Sequence, residues 1–518
     1  MSWRAVESYR AAVCFAHLPD PALEGVDWVR RETIKGTPVT LVPHDHRHFE
    51  LLRDRGLPVP HPIHTRYAWP GRFDPLDSQR DTAAFLSAHR KAFCLNGLGT
   101  GKTLASIWAM DYLLQEGAIR RALVVAPLSI CDHVWERELF STLPHRTARV
   151  LRGSRANKQK VARDPRVDIV VVNPESLHLL DGHLPEVDLI VVDEFTKFKN
   201  ARSQRWKALR KLSRDTRLWL MSGTPAPQAP TDAYGPIALV REEKLAYLRW
   251  RDMTMEKISE FTWAPKPGAE DLIAQWMQPA VRYRRADCYD LPDVQVEKLE
   301  VDLTREQEEA IKSFQEEAAA QFEADGEVIT AANAAAVLSK TLQVMGGGVY
   351  GENEDGKYIQ RVAAGPFFEG IEEVVEQADT PVLCFTSFRS SAHAIRDHLA
   401  ARGYRTGLIA SGVPQSQRTE LFDAVQNGTL DVLVAVAGTM SHGLTLTTAR
   451  YVLWATPPYS YEEYEQANGR VVRRGQNNGV VVYHLVQNTL AKDLFRRLES
   501  KARIQDTVLN LIEGIKEA

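Results

Sequence analysis

Between residues 91 and 224 the chain returns repeatedly to short apolar runs, rich in β-branched residues: "AFCL", "ALVVAPL", "DIVVVN", "DLIVVDE" and "LWLMSGT". Helical patterns such as "LASIWAMDYLL" lie between them. A strand that is apolar along its whole length has no solvent face, so it belongs inside a parallel sheet covered on both sides by its helical crossovers. A second series follows residue 380: "PVLCFTS", "RTGLIAS", "DVLVAVAG", "YVLWAT" and "VVVYHLV". The expected fold class is α/β, with two parallel-sheet domains in tandem. A chain of 518 residues has room for both and for smaller pieces.

The first 70 residues are weakly patterned and end in the Pro-rich "GLPVPHPIHTRYAWPG", predicting a small N-terminal appendage over 1–70. The first sheet domain is expected over 71–235 and the second over 366–492, with a C-terminal helix over 493–518. Residues 236–365 include an Ala/Glu-rich helical stretch from Thr304 to Val344 and a hairpin pattern around "YGENEDGKY", and are expected to form a helical insertion and brace.

The formal net charge is only -3, so any nucleic-acid surface has to be local. The five cysteines are scattered without a C-x-x-C pair, which argues against zinc or a disulfide framework and suits a reducing compartment. No apolar run approaches the roughly 18 residues of a membrane span, and the opening "MSWRAVESYRAAVCF" is broken by Glu7 and Arg10. The expected location is cytoplasmic, with no membrane partner.

"CLNGLGTGKTL" follows a predicted strand and opens a predicted helix, the context that makes a glycine-rich loop a phosphate cradle. Gly97, Gly99, Thr100 and Gly101 would turn backbone N–H groups toward phosphate oxygens, Lys102 would bring its charge to the β and γ positions, and the Thr103 hydroxyl would hold Mg²⁺. The first glycine of G-x-x-x-x-G-K-T is Asn96 here. Some 90 residues on, "VVDEFTKFKNARSQRWKALRKL" ends a buried strand in two acids and then turns almost wholly basic. At the carboxyl edge of the same sheet, Asp193 would order Mg²⁺ and Glu194 would polarise the attacking water. The cofactors implied are ATP and Mg²⁺.

From here the order of motifs resembles superfamily 2 helicases, and in particular the Swi/Snf-type DNA translocases, over about residues 70 to 490. "PLDSQRDTAAFL" resembles the upstream glutamine motif, which implies that Gln79 reads adenine. "VVAPLSICDHVWEREL" is similar to motif Ia, which puts Pro127, Leu128 and Ser129 near the DNA backbone. "DEFTKFKN" resembles the acidic box with its Lys-Asn continuation, so Lys199 and Asn200 are expected on DNA, with Thr196 where histidine is usual. "LMSGTPAPQAP" looks like motif III, in which Ser222 and Thr224 would couple the ATP and DNA sides.

"VRYRRADCYDLPDVQVEKLEVDLTREQ" resembles the family's Arg-Arg, Leu-Pro and Leu-Thr-x-x-Gln passage, placed between the domains. "VLCFTSFRSS" resembles motif IV. "VAVAGTMSHGLTLTTARYVLWATPPYS" resembles motif V, with Thr439 and Gly443 on the DNA or coupling side. "YEQANGRVVRRGQ" resembles the closing box, which implies catalytic roles for Gln466, Arg470 and Arg473.

The resemblance implies two tandem RecA-like domains. It also implies an ATP hydrolase of the helicase type that tracks duplex or branched DNA through backbone contacts, without sequence preference, in replication, recombination or repair. A compact bacterial or bacteriophage member fits the lack of long accessory segments. Two other functions stay open: a nucleic-acid-stimulated ATPase switch, and the motor subunit of a restriction or repair assembly whose nuclease lies on another chain. The helix "RSQRWKALRKL" puts Trp206, Leu209 and Leu212 on one face, so a solvated amphipathic helix explains most of its charges.

Overall fold

The computed structural model describes residues 6–517 apart from 10–11, 16–25, 35, 58, 185, 226–228, 242–244, 260–262, 290–291, 326–330, 354–355, 441–445 and 474. The chain divides into two compact units, Met1–Cys288 with Thr507–Ala518, and Tyr289–Asp506.

The first unit begins with an antiparallel sheet of β1 (Val6–Tyr9), β2 (Ala12–Phe15), β3 (Arg30–Ile34) and β4 (Thr37–Pro43), in the order β1-β2-β4-β3. The helix His46–Asp54 follows, capped by the Asp45 carboxylate on the His48 N–H. Arg217 ties this helix to the main sheet by donating to Glu50 Oε1 at 2.7 Å.

The main sheet contains β5 (Lys91–Cys94), β6 (Ala122–Val125), β7 (Ala148–Val150), β8 (Ile169–Val172), β9 (Leu189–Asp193) and β10 (Arg217–Met221). After a small hairpin of β11 (Met255–Lys257) and β12 (Trp263–Pro265), it gains the two-residue β13 (Ala280–Val281). The order is β13-β5-β10-β9-β6-β8-β7, with every pair parallel. Strands β6, β8 and β9 are buried at every residue, as runs without a polar face require. β5 and β6 follow one another in the chain but are separated by β10 and β9. Such a reversal opens a crevice at the carboxyl ends of the strands.

The helix Lys102–Gln115 is anchored at its far end by Asp111, which is wholly buried. Its Oδ2 accepts from Tyr67 Oη at 2.8 Å and Gln115 Nε2 at 2.9 Å. Its Oδ1 accepts from Arg146 Nε at 2.7 Å and bonds His145 Nε2 at 3.0 Å. Removing one partner of a buried charge pair leaves the other without compensation. Asp111→Asn is therefore expected to destabilise the fold by about 3 kcal/mol, read as a lower denaturant midpoint with unchanged slope.

The second unit opens with β14 (Val294–Glu300), then the helices Arg305–Asp325 and Ala331–Met345 and a hairpin of β15 (Gly348–Asn353) and β16 (Gly356–Arg361). Its main sheet adds β17 (Val382–Thr386), β18 (Thr406–Ile409), β19 (Val432–Val436), β20 (Tyr451–Trp454) and β21 (Val480–Val486). The order is β14-β21-β20-β17-β19-β18, again all parallel.

The stretch 236–365, expected as one insertion, is thus shared between the units, with β13 in the first sheet and β14 in the second. Both are edge strands. β13 is too short to show a period, and β14, "VQVEKLE", has no buried residue, so neither resembles the apolar interior strands. Among the described residues no helix is long and apolar enough to cross a membrane.

Candidate functional site

The glycine-rich loop runs from the end of β5 into the helix Lys102–Gln115. Gly99 and Gly101 adopt φ of 79° and 83°, the left-handed region open to glycine. A Cβ on Gly101 would also lie 1.9 Å from Gln79 Nε2. Gln79 is held at both ends, its Oε1 accepting from the Leu76 N–H at 3.0 Å and its Nε2 donating to Thr100 O at 3.3 Å. The Thr100 hydroxyl donates to Gly97 O at 2.9 Å. The Lys102 ammonium is buried and donates to Asn96 O at 2.8 Å and Gly97 O at 3.0 Å. Burial pulls its pKa below the ordinary value, and the nearby Glu194 acts in the opposite direction. Thr103 is half-buried in the first turn of the helix.

Asp193 ends β9, with β10 between it and β5. Burial pushes its carboxyl above the usual range, against a hydrogen bond from Trp135 Nε1 to Oδ2 at 2.8 Å and the charge of Lys102. A divalent cation held beside Asp193 would favour its ionised form. Glu194, also buried, sits at φ 56° and ψ 63°. A left-handed glutamate costs roughly 1–3 kcal/mol, and such strain gathers at working sites. Its Oε2 accepts from Ser222 Oγ at 3.1 Å, beyond the end of β10. Ser222 Oγ also accepts from the Thr224 N–H at 3.1 Å and lies 3.3 Å from Thr224 Oγ1. The two motif III residues and the second acid therefore form one buried cluster. Thr196 is buried in the turn that follows.

Lys199 and Asn200 are exposed at the end of the 3₁₀ turn Phe195–Phe198, whose two phenylalanines are fully buried. Lys199 Nζ lies 3.3 Å from Asp232 Oδ2, and Asn200 Oδ1 accepts from the Arg202 N–H at 2.9 Å. The basic helix Gln204–Leu212 buries Leu209 and packs Trp206 and Leu212 against the core. Arg205 pairs with Glu175 at 3.2 Å, Lys211 with Asp181 at 2.8 Å, and Arg210 donates to Ala238 O. Much of this charge is thus engaged within the unit. Leu128 is 69% exposed just past Pro127, and Ser129 continues the same turn of helix.

In the second unit the helix Tyr461–Asn468 buries Gln466, whose Nε2 donates to Glu462 Oε1 at 3.2 Å. Arg470 is 7% exposed, and its carbonyl accepts from the Leu446 N–H at 2.9 Å, which joins the motif V loop to the arginine turn. Arg473 is half-buried, and its carbonyl accepts from the Gln476 N–H at 3.0 Å. Thr439 ends the turn after β19, its hydroxyl donating to Val436 O at 2.7 Å. Gly443 lies outside the described residues.

The SNF2-related domain matches residues 79–345, more than half of the chain, and the helicase conserved C-terminal domain matches residues 368–475. The chain belongs to the SNF2-related family. As a member of it, the chain is a helicase-like enzyme that hydrolyses ATP on two RecA-like α/β units. It is 24% identical over 446 residues to protein p41 of Acyrthosiphon pisum secondary endosymbiont phage 1, covering 80% of this chain and 94% of that protein. It is 21% identical to the CHD3-type chromatin-remodeling factor CHR7 of Arabidopsis thaliana, covering 80% of this chain but 35% of that one. The SWI/SNF-related matrix-associated actin-dependent regulator of chromatin subfamily A-like protein 1 of Xenopus tropicalis is 24% identical, with 82% and 44% covered. Among solved structures, the Sulfolobus solfataricus SWI2/SNF2 ATPase core in complex with dsDNA is 21% identical at a TM-score of 0.42, covering 87% of this chain and 96% of that one.

Two features of this SNF2-related chain escape a motif-by-motif reading. Trp135, which holds Asp193, lies 58 residues before it and stands out only as a buried tryptophan near the end of motif Ia. The passage "VRYRRADC", expected between the domains, instead runs beside the phosphate loop inside the first unit. Phe93 N, Leu95 N and Gly97 N donate in turn to Pro279 O, Val281 O and Tyr283 O at 2.9, 2.8 and 2.9 Å. Arg282 Nη1 donates to Leu95 O at 2.9 Å and Arg285 Nε to Leu98 O at 2.8 Å. The parallel ladder started by β13 is what carries this strap to the loop.

Proposed function

We propose that this chain is an ATP-dependent DNA translocase that couples hydrolysis to movement along the backbone of duplex or branched DNA. The observation that carries the reading is the short path from the acid to the basic turn in the first unit. Glu194 is buried and bonded to Ser222, Phe195 and Phe198 are locked in the core, and Lys199 and Asn200 emerge at the surface directly after them. A shift at the carboxylate has little slack to absorb it before it reaches the exposed turn. The relatives named as a chromatin-remodeling factor and as a regulator of chromatin support DNA as the track.

In this reading Lys102 and the loop amides bind the nucleotide phosphates, Gln79 sits on the base side, and Glu194 takes the proton of the attacking water. Gln466, Arg470 and Arg473 have catalytic roles in hydrolysis. Thr103 and Asp193 would hold Mg²⁺, which supplies charge neutralisation when bound. Pro127, Leu128, Ser129, Lys199, Asn200, Thr439 and Gly443 belong to the DNA side, while Ser222 and Thr224 couple the two. The motifs from Gln79 to Thr224 fall in the first unit and those from Thr439 to Arg473 in the second.

The test is ATPase rate with and without duplex DNA, together with displacement of a triplex third strand. The reading expects stimulation by DNA and ATP-dependent displacement. An unstimulated rate in low salt would overturn DNA as the track, and stimulated hydrolysis with the third strand left in place would identify a nucleic-acid-stimulated switch. Lys199→Ala should weaken binding equally across sequences and reduce the slope of log K against log salt by about one.

A further inference from the structure

Asn96 stands at the first position of the phosphate loop, where G-x-x-x-x-G-K-T calls for glycine, and its side chain has more work than a turn requires. It is 2% exposed. Its Nδ2 donates to Thr82 Oγ1 at 2.8 Å, on the helix Asp77–Ala88 that also carries Gln79. Its Oδ1 accepts from the Tyr283 N–H at 2.9 Å, on the strap. Its own carbonyl accepts from Lys102 Nζ. One residue thus joins the loop, the glutamine helix, the strap and the phosphate lysine.

Both neighbours are themselves fixed. The Thr82 hydroxyl donates to Ser78 O at 2.6 Å, which leaves its oxygen free to accept from the amide. Tyr283 Oη reaches back to Asp81 Oδ2 at 2.8 Å, one residue before Thr82. The amide side chain suits this gap because it offers one donor and one acceptor in opposite directions. Glycine would supply neither, and would give the loop backbone more freedom to lose when nucleotide binds.

We propose that Asn96 is a positioning residue for nucleotide turnover, holding the phosphate loop in its binding shape by clamping it between the glutamine helix and the strap. It acts through Lys102 and the loop amides rather than on the nucleotide. The proposal rests on the loop being the ATP site. Wild-type turnover tests that reading, and the ratio of variant to wild type tests Asn96.

Asn96→Gly, which restores the motif glycine, is expected to raise the KM for ATP roughly 5- to 50-fold with kcat within threefold, the factor that two net hydrogen bonds carry. Thr82→Val removes one of the two bonds and should raise KM about three- to fivefold, with the double variant no worse than Asn96→Gly alone. Asp111→Asn, at the far end of the phosphate-loop helix, serves as a control that lowers the melting temperature while leaving KM within twofold. A KM for Asn96→Gly within twofold of wild type would overturn the proposal, and so would an equal rise in Asp111→Asn.

Discussion

Glu194→Gln is expected to bind ATP within a few-fold of wild type and to lose turnover by about 10² to 10⁴, the range a positioned general base contributes. Glutamine keeps the shape of the side chain and leaves an oxygen to accept from Ser222 Oγ, so the buried cluster with Thr224 stays bonded. Glutamine cannot take a proton from water, and that is the step the substitution removes. The left-handed backbone at this position is unaffected by a change beyond Cγ. ATP binding by equilibrium dialysis, set beside steady-state hydrolysis, separates the two effects. Brisk turnover by the Gln variant would remove Glu194 from the role of base. Ser222→Ala gives the contrast: the carboxylate remains but loses the Ser222 hydrogen bond, so a smaller loss is expected, together with weaker coupling to DNA.

The parts of the candidate site that were legible in the sequence are those whose pattern is local. The loop, Lys102 and Thr103 follow one strand and open one helix, and Asp193 ends another strand, apolar up to that point, with Glu194 directly after it, so motif and element are read from the same dozen residues. The two parallel sheets were equally legible, because interior strands have no polar alternation to confuse with a helix.

What was hidden depends on contacts across long stretches of chain. The strap reaches Leu95 and Gly97 from some 185 residues away through a two-residue strand that no periodicity can reveal. The charges of the helix Gln204–Leu212 could be divided between solvent and DNA but not assigned to Glu175 and Asp181, which lie some 30 residues earlier. Gly235 is a further case. A Cβ there would lie 2.3 Å from Phe198 O and 2.6 Å from Lys199 O, so the helix Tyr234–Val240 closes directly on the basic turn, yet a single glycine opening a helix carries no such signal.

Arg473→Ala is expected to keep both nucleotide and DNA binding and to lose hydrolysis by on the order of 10³ to 10⁵, the range for an arginine that meets charge developing on the transferred phosphoryl group. Burial separates it from its neighbour. Arg470 is nearly enclosed, at 7% exposure, whereas Arg473 is only half-buried. Arg470→Ala should therefore lower the melting temperature as well as the rate, and Arg473→Ala should lower the rate alone. Arg473→Lys tests the geometry: it keeps the charge but not the planar fork, and should recover only a small part of the lost rate. If Arg473→Ala still hydrolyses ATP at a near-normal DNA-stimulated rate, Arg473 has no catalytic role. If Arg470→Ala then shows the large loss without destabilisation, the two arginines exchange roles, because the enclosed side chain would be the one that meets the phosphates.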